Sequence, residues 1–154
     1  MDDLFGEQDP RNMPSYFFGD CRHIDYSTAL KADVSRQNYT VCPRHWYVEV
    51  SYLCTRCDNG FLFSAAEQKV WYEDYGFYVD SMPRCCPSCR SDLRNSRKLR
   101  QEYDRHVAMV LEGHDRDAKV HLADVIDRLC ELNTDLPKQI HHNRGRLANQ
   151  LAKG

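Results

Sequence analysis

Residues 52–60, YLCTRCDNG, and residues 82–90, MPRCCPSCR, set two Cys-x2-Cys pairs with 28 residues between them, and this arrangement decides the fold. A Cys-x2-Cys turn holds two thiolates at the separation that a tetrahedral Zn2+ needs, with each sulfur about 2.3 Å from the ion. Two such turns close the coordination shell, so Cys54, Cys57, Cys86 and Cys89 are the expected ligands of one structural zinc. The second stretch contains three cysteines, but only Cys86 and Cys89 have the chelating spacing. Cys85 is one residue too far from Cys89 and is expected to point away from the metal, as a small buried residue or a neighbouring thiol.

The flanks supply the rest of a small α+β module. Val48, Val50 and Tyr52 alternate with Tyr47, Glu49 and Ser51, a period-two strand that runs into Cys54, and FLFS (61–64) reads as the returning strand of a hairpin. SAAEQKVWYEDYG (64–76) predicts a helix, with Ser64 as N-cap, Glu67 three residues on and Gly76 near its end. The second cysteine pair opens another helix, where unpaired N–H groups favour thiolate over thiol. These are the parts of a zinc ribbon or treble clef. Residues 1–41 read as an irregular N-terminal arm, with a short helix over STALKADVSRQ (27–37) and an aromatic anchor at Tyr16, Phe17 and Phe18. Residues 42–96 then form the zinc-binding domain and 97–154 a helical tail. In the tail, Leu93, Leu99, Tyr103, Val107, Val110 and Leu111 mark one apolar stripe, ending at Gly113. Ala118, Leu122, Val125, Ile126, Leu129 and Leu132 mark a second. A third, basic helix carries Ile140, Leu147 and Leu151 and is expected to be interrupted at Gly145. The stripes pack intramolecularly, through self-association, or on the zinc module.

Composition narrows the function classes. The 154 residues carry a formal charge of −2, which argues against a protein coating nucleic acid over its whole surface. The charge is uneven, however. Residues 1–41 hold seven acids against four bases, and residues 84–105 hold seven bases against three acids. An anionic partner, protein or RNA on a ribosome, would therefore meet Arg84, Arg90, Arg94, Arg97, Lys98 and Arg100. No basic segment followed by an apolar run marks a signal peptide, and no apolar stretch is long enough to span a membrane. Eight cysteines in a cytoplasmic chain are metal ligands or free thiols before they are disulfides. Cys21, His23, Cys42 and His45 offer donors for a second metal site, but Cys-x-His is poor chelating spacing, and His45 at a strand edge is the plainer reading.

The stretch from Tyr52 to Arg90 resembles the zinc-ribbon (treble-clef-type) domain found in many small bacterial proteins. The resemblance rests on Cys54, Cys57, Phe61, Phe63, Glu67-Gln68, Trp71-Tyr72, Pro83, Cys86, Cys89 and Arg90, covers about residues 45–95, and takes in the preceding CPRHWYV (42–48). It implies Zn2+ and a small fold, and no activity. Phe61, Phe63, Trp71, Tyr72, Tyr75 and Phe77 are expected to pack around the metal, supplying bulk that this chain otherwise lacks.

Three functions fit these residues. The first is a zinc-stabilised binding or adaptor protein that contacts a partner through its basic helix and helical tail. The second is a treble-clef nuclease or hydrolase, for which only His45 and Glu49 offer a base and a carboxylate; four strand residues set them roughly 13 Å apart. The third is a redox sensor built on Cys85 beside the cluster. A shell of four cysteines leaves no position for a water nucleophile, so no catalytic residue is assigned.

Overall fold

Strand β1 (His23–Lys31) pairs antiparallel with β2 (Trp46–Leu53), which pairs antiparallel with β3 (Gly60–Phe63), giving a three-stranded sheet in the order β1-β2-β3. This is a computed structural model, and it describes residues 2–133 and 135–154. Helix α1 (Ala65–Lys69) follows β3, and α2 (Pro87–Glu112), α3 (Arg116–Leu132) and α4 (Lys138–Lys153) complete an α+β chain. Two compact units result, Met1–Cys89 and Arg90–Gly154.

The first 41 residues depart from the expected irregular arm. The helix anticipated over 27–37 does not form, because Ser27–Lys31 belongs to β1 and only Val34–Arg36 makes a 3-10 turn. The β1–β2 register shifts between Asp25 and Leu30, and local side chains fill the break. Asp25 Oδ1 accepts from the Ser27 N–H and hydroxyl, while Thr28 Oγ1 donates to Asp25 O at 2.6 Å and accepts from Glu49 N–H at 2.8 Å. The hydroxyl thus satisfies a ladder donor that the bulge would otherwise orphan. Phe17 and Phe18 are buried in the same core as the sheet and act as the expected aromatic anchor, whereas Tyr16 stays exposed.

In β2, Val48, Val50 and Tyr52 are buried as the alternation requires, facing β3 through the Val50–Phe63 and Tyr52–Phe61 pairs. Tyr47, on the opposite parity, is buried too, because a polar network covers its hydroxyl. Gln37 Nε2 donates to Tyr47 Oη at 2.7 Å, and Tyr47 Oη donates to Glu73 Oε1 at 3.0 Å. Glu73 also accepts from the Asp33 N–H at 2.8 Å and pairs with Lys69 at 2.7 Å. Burial pushes the Glu73 carboxyl up, but Lys69, the Asp33 N–H and Tyr47 together outweigh it and hold the group below its ordinary 4.5. A lowered carboxyl stabilises the fold fully above that ordinary value, and the contribution is lost as pH falls below it. Glu73→Gln is therefore expected to be less stable than the parent near neutrality, with the gap narrowing as acid approaches and passes pH 4.5. Denaturation followed by tryptophan emission at stepped pH measures this, and a gap independent of pH would remove the charge from the account.

Ser64 Oγ caps α1 by accepting from the Glu67 N–H at 3.1 Å. The helix does not continue as a regular α-helix to Gly76. It widens into a π-helical turn over Val70–Asp74, with the Tyr75 N–H on Val70 O at 2.9 Å. Gly76, at φ +70°, then lets the Phe77 N–H return to Trp71 O at 3.0 Å and close the end. That closure carries Tyr75 and Phe77 outward, at 64 % and 45 % exposure, so these two do not join the core as expected. Phe77 packs edge-on against Trp71, and Tyr75 lies tilted against Phe77.

The second unit has its own core. Leu99, Tyr103, Val110 and Leu111 of α2, Leu122, Val125, Ile126 and Leu129 of α3, and Ile140 and Leu147 of α4 bury their stripes against one another. Asn143 Nδ2 donates to Tyr103 Oη at 2.7 Å inside this core. Gly145 does not interrupt α4, which runs unbroken through it. One glycine costs a helix about 1 kcal/mol, less than the flanking Ile140 and Leu147 recover by burial.

Candidate metal centre

Each cysteine pair is positioned by its own local structure. After β2, the Cys54 N–H donates to Asn59 O at 2.8 Å and the Asp58 N–H to Cys54 O at 3.0 Å, which folds Cys54–Asp58 into a tight knuckle. Asp58 sits at φ 61°, a conformation that aspartate tolerates better than most side chains. Cys86 precedes Pro87, the first residue of α2, where a missing N–H costs nothing. Its sulfur accepts from the Cys89 N–H at 3.4 Å, as the Cys54 sulfur does from the Arg56 N–H at 3.4 Å.

These turns bring the four sulfurs within 4.8 Å of one another, the only such grouping of three or more His, Cys, Asp or Glu among the described residues. Cys57 Sγ and Cys86 Sγ are 3.8 Å apart, the edge of a sulfur tetrahedron whose centre lies about 2.3 Å from each corner. Cys54 and Cys89 are buried, and Cys57 is the most exposed of the four. Burial alone would raise the Cys54 thiol, but the Cys86, Cys57 and Arg56 N–H groups bring it down to about 6. Cys89, hydrogen-bonded to Cys86 and buried, is pushed up to about 12. One negative charge on the cluster thus discourages the next, and a divalent cation at the centre removes that penalty for all four. An all-thiolate tetrahedral donor set fits Zn2+, which, bound there, would cross-link the end of β2 to the start of α2.

Comparison with protein-family models matches residues 48–98 to the family described as a probable treble clef domain. Residues 48–98 are a treble-clef domain. No curated protein and no solved structure matches the chain. The treble-clef domain begins within β2, holds the knuckle, β3 and α1, and ends in the fourth turn of α2.

Its recurring Glu67-Gln68 is structural in this chain. The fully buried Gln68 amide donates to Val48 O at 2.6 Å and Phe63 O at 2.9 Å, tying α1 to β2 and β3. Phe61, Phe63 and Tyr72 are buried in the same core as Cys54 and Cys89. Cys85 lies outside the sulfur group, with its Sγ 3.6 Å from Thr55 Oγ1. Cys21, His23, Cys42 and His45 are not brought together; Cys42 is buried and meets Tyr16 Oη at 3.2 Å.

The basic residues divide. Arg94, Arg97 and Lys98 are exposed, and helical spacing sets them on one face of α2 with Gln101 and Arg105, opposite the buried Leu99 and Tyr103. Arg100 is turned aside, paired with Asp104 at 3.1 Å and lying over the Tyr103 ring. Arg84 is exposed before the helix, and Arg90 is half-buried in its first turns. Sequence reasoning missed Arg44, a guanidinium buried to 1 % exposure in the core of the first unit. Nothing in CPRHWYV separates it from a surface arginine.

Proposed function

We propose that the chain is a binding or adaptor protein in which zinc is architecture and the exposed face of α2 meets an anionic partner, a protein or RNA. The observation that carries this reading is the donor set. Cys54, Cys57, Cys86 and Cys89 complete a tetrahedral shell, which leaves no position from which a metal-bound water could act. His45 and Glu49 meet each other in no hydrogen bond or ion pair, so neither supports the nuclease reading. Charge separation supports a binding role. The first unit holds 13 acids and 8 bases, a net of −5, and the second holds 10 acids and 13 bases, a net of +3. An anionic ligand is therefore steered to the second unit.

The triple reversal Arg94→Glu, Arg97→Glu and Lys98→Glu is expected to abolish retention on immobilised RNA while leaving zinc content and tryptophan emission unchanged. Neutralising the three instead, with Gln, should lower the logarithmic salt dependence of RNA binding by about 2, since each phosphate contact on a single strand contributes about 0.7. Retention that survives the reversal sinks the RNA form of the proposal, and capture of an acidic protein that is lost on the same reversal supports the protein form.

A further inference from the structure

Helical geometry, at about 100° per residue, fixes the order of side chains across the exposed face of α2. With Arg94 as the centre line, Gln101 and Arg105 fall within about 20° of it, Lys98 about 40° to one side and Arg97 about 60° to the other. From residue 94 to residue 105 this ridge runs about 17 Å along the helix. All five side chains are exposed, and none makes a hydrogen bond or ion pair among the described residues.

The flanks of the ridge add a second observation. Glu102 and Asp104 are the acids nearest to it, and each falls about 80° from the centre line, on opposite sides. Both are already occupied: Glu102 Oε1 accepts from His121 Nε2 at 2.5 Å, and Asp104 pairs with Arg100 at 3.1 Å. The ridge therefore presents four cations around one neutral amide, with the neighbouring carboxylates engaged elsewhere. It also carries no aromatic ring, since Tyr103 is buried at 4 % exposure on the opposite side of the helix.

We infer that this ridge of α2 lies in the major groove of double-helical DNA, which rests on the reading above that the face meets an anionic partner. An α-helix with its side chains is about 10–12 Å across, and the B-form major groove is about 12 Å wide. Two rows of phosphate wall that groove, so anions meet the helix on both flanks at once. Lys98 and Arg97 face the opposite walls, while Arg94, Gln101 and Arg105 face the floor. Arginine there matches the guanine edge, and the Gln101 amide, a donor and an acceptor together, matches adenine. Other anions use less of this surface. Single-stranded RNA is held largely by stacking on aromatic rings, which the ridge lacks. Double-stranded RNA has a major groove too deep and narrow for side chains to read. An acidic protein helix offers one line of carboxylates and does not enclose both flanks.

The test is fluorescence anisotropy of the full, zinc-loaded chain at physiological salt with a mixed-sequence DNA duplex, the RNA duplex of the same sequence, and its single RNA strand. The DNA duplex is expected to bind at least about tenfold more tightly than either RNA, the discrimination that one contact to the groove floor supplies. Methyl green, which occupies the major groove, should displace the chain, and netropsin, which occupies the minor groove, should not. Joint Arg97→Gln and Lys98→Gln should lower the logarithmic salt dependence by about 2, near 0.9 for each phosphate contact. Gln101→Glu should weaken DNA binding at least about tenfold by setting a carboxylate against the acceptors of the floor. An unchanged far-ultraviolet helical signal verifies the fold of each variant. Equal or tighter binding of either RNA, or displacement by netropsin alone, would overturn the inference and leave the anionic-face reading standing. Binding to none of the three would overturn it together with the RNA form of the proposed function. DNA binding that survives the reversal of Arg94, Arg97 and Lys98 would overturn both.

Discussion

Cys54→Ser is expected to unfold the first unit and leave the helices of the second in place. Structural zinc contributes an apparent 10–16 kcal/mol, roughly, in small zinc-dependent folds. That equals or exceeds the roughly 5–15 kcal/mol by which whole domains are stable, so losing the ion is not a graded perturbation. The four sulfurs join a knuckle at the end of β2 to the first turn of α2, and no disulfide bridges the same distance in sequence. The chain reports on its two units separately. Both tryptophans, Trp46 and Trp71, lie in the first unit, whereas most of α2 and all of α3 and α4 lie in the second with a core of their own. Cys54→Ser, Cys89→Ser, or chelation of the parent should therefore red-shift tryptophan emission and abolish stoichiometric zinc, while most of the far-ultraviolet helical signal persists. Cys85→Ser should change none of these, because its sulfur lies outside the cluster. Cys54→Ser protein that keeps blue-shifted emission, or a Cys85→Ser variant that loses zinc, would refute the assignment of ligands.

The second large effect is expected at Arg44. Its guanidinium is buried and makes no ion pair among the described residues, lying 4.8 Å from the Phe17 and Tyr72 ring centres and 5.4 Å from that of Phe18. Nε donates to Val79 O at 2.8 Å, and a terminal nitrogen donates to Phe17 O at 2.5 Å. One side chain thus fastens the N-terminal aromatic segment and the 79–80 loop to the sheet. Burial works against the charge, and aromatic faces with carbonyl oxygens compensate it. Arg44→Ala leaves two buried carbonyls unpaired and a large void, a loss of about 3–5 kcal/mol by the usual scale of core truncations. Arg44→Met refills most of the volume, removes the buried charge and should recover part of the loss. Arg44→Lys should not match the parent, because one ammonium cannot copy a planar fork stacked between rings. Urea denaturation monitored by Trp46 and Trp71 gives all three values, and a loss under about 1 kcal/mol for Arg44→Ala would show that the cage is incidental.

How much was legible from sequence depends on how local the physics is. The ligand spacing, the hairpin, the Ser64 cap and most of the helical stripes are set by residues within a few positions of one another, and the structure places them as read, except that Leu93 of the first stripe is exposed. The N-terminal arm was misread because β1 owes its conformation to hydrogen bonds with β2, residues away, and Thr28 stabilises a bulge that has no meaning until Glu49 lies opposite. Tyr75 and Phe77 were misassigned for a related reason. Aromatic composition says that rings pack, but the π-helical turn and the φ of Gly76 decide which rings face outward. The basic run was legible as charge, and only the α2 geometry separates Arg94, Arg97 and Lys98 from the paired Arg100.

The sequence by itself determined that four cysteines in two chelating turns would organise a small α+β domain, since chelate spacing and periodicity are properties of short segments. Tertiary structure alone decided that Arg44 is a core residue, that Glu73 is a buried charge, and that Asp20, Asp80 and Arg84 line one cleft. Burial and electrostatic pairing depend on which distant segments arrive at the same place, and no run of neighbouring residues encodes that.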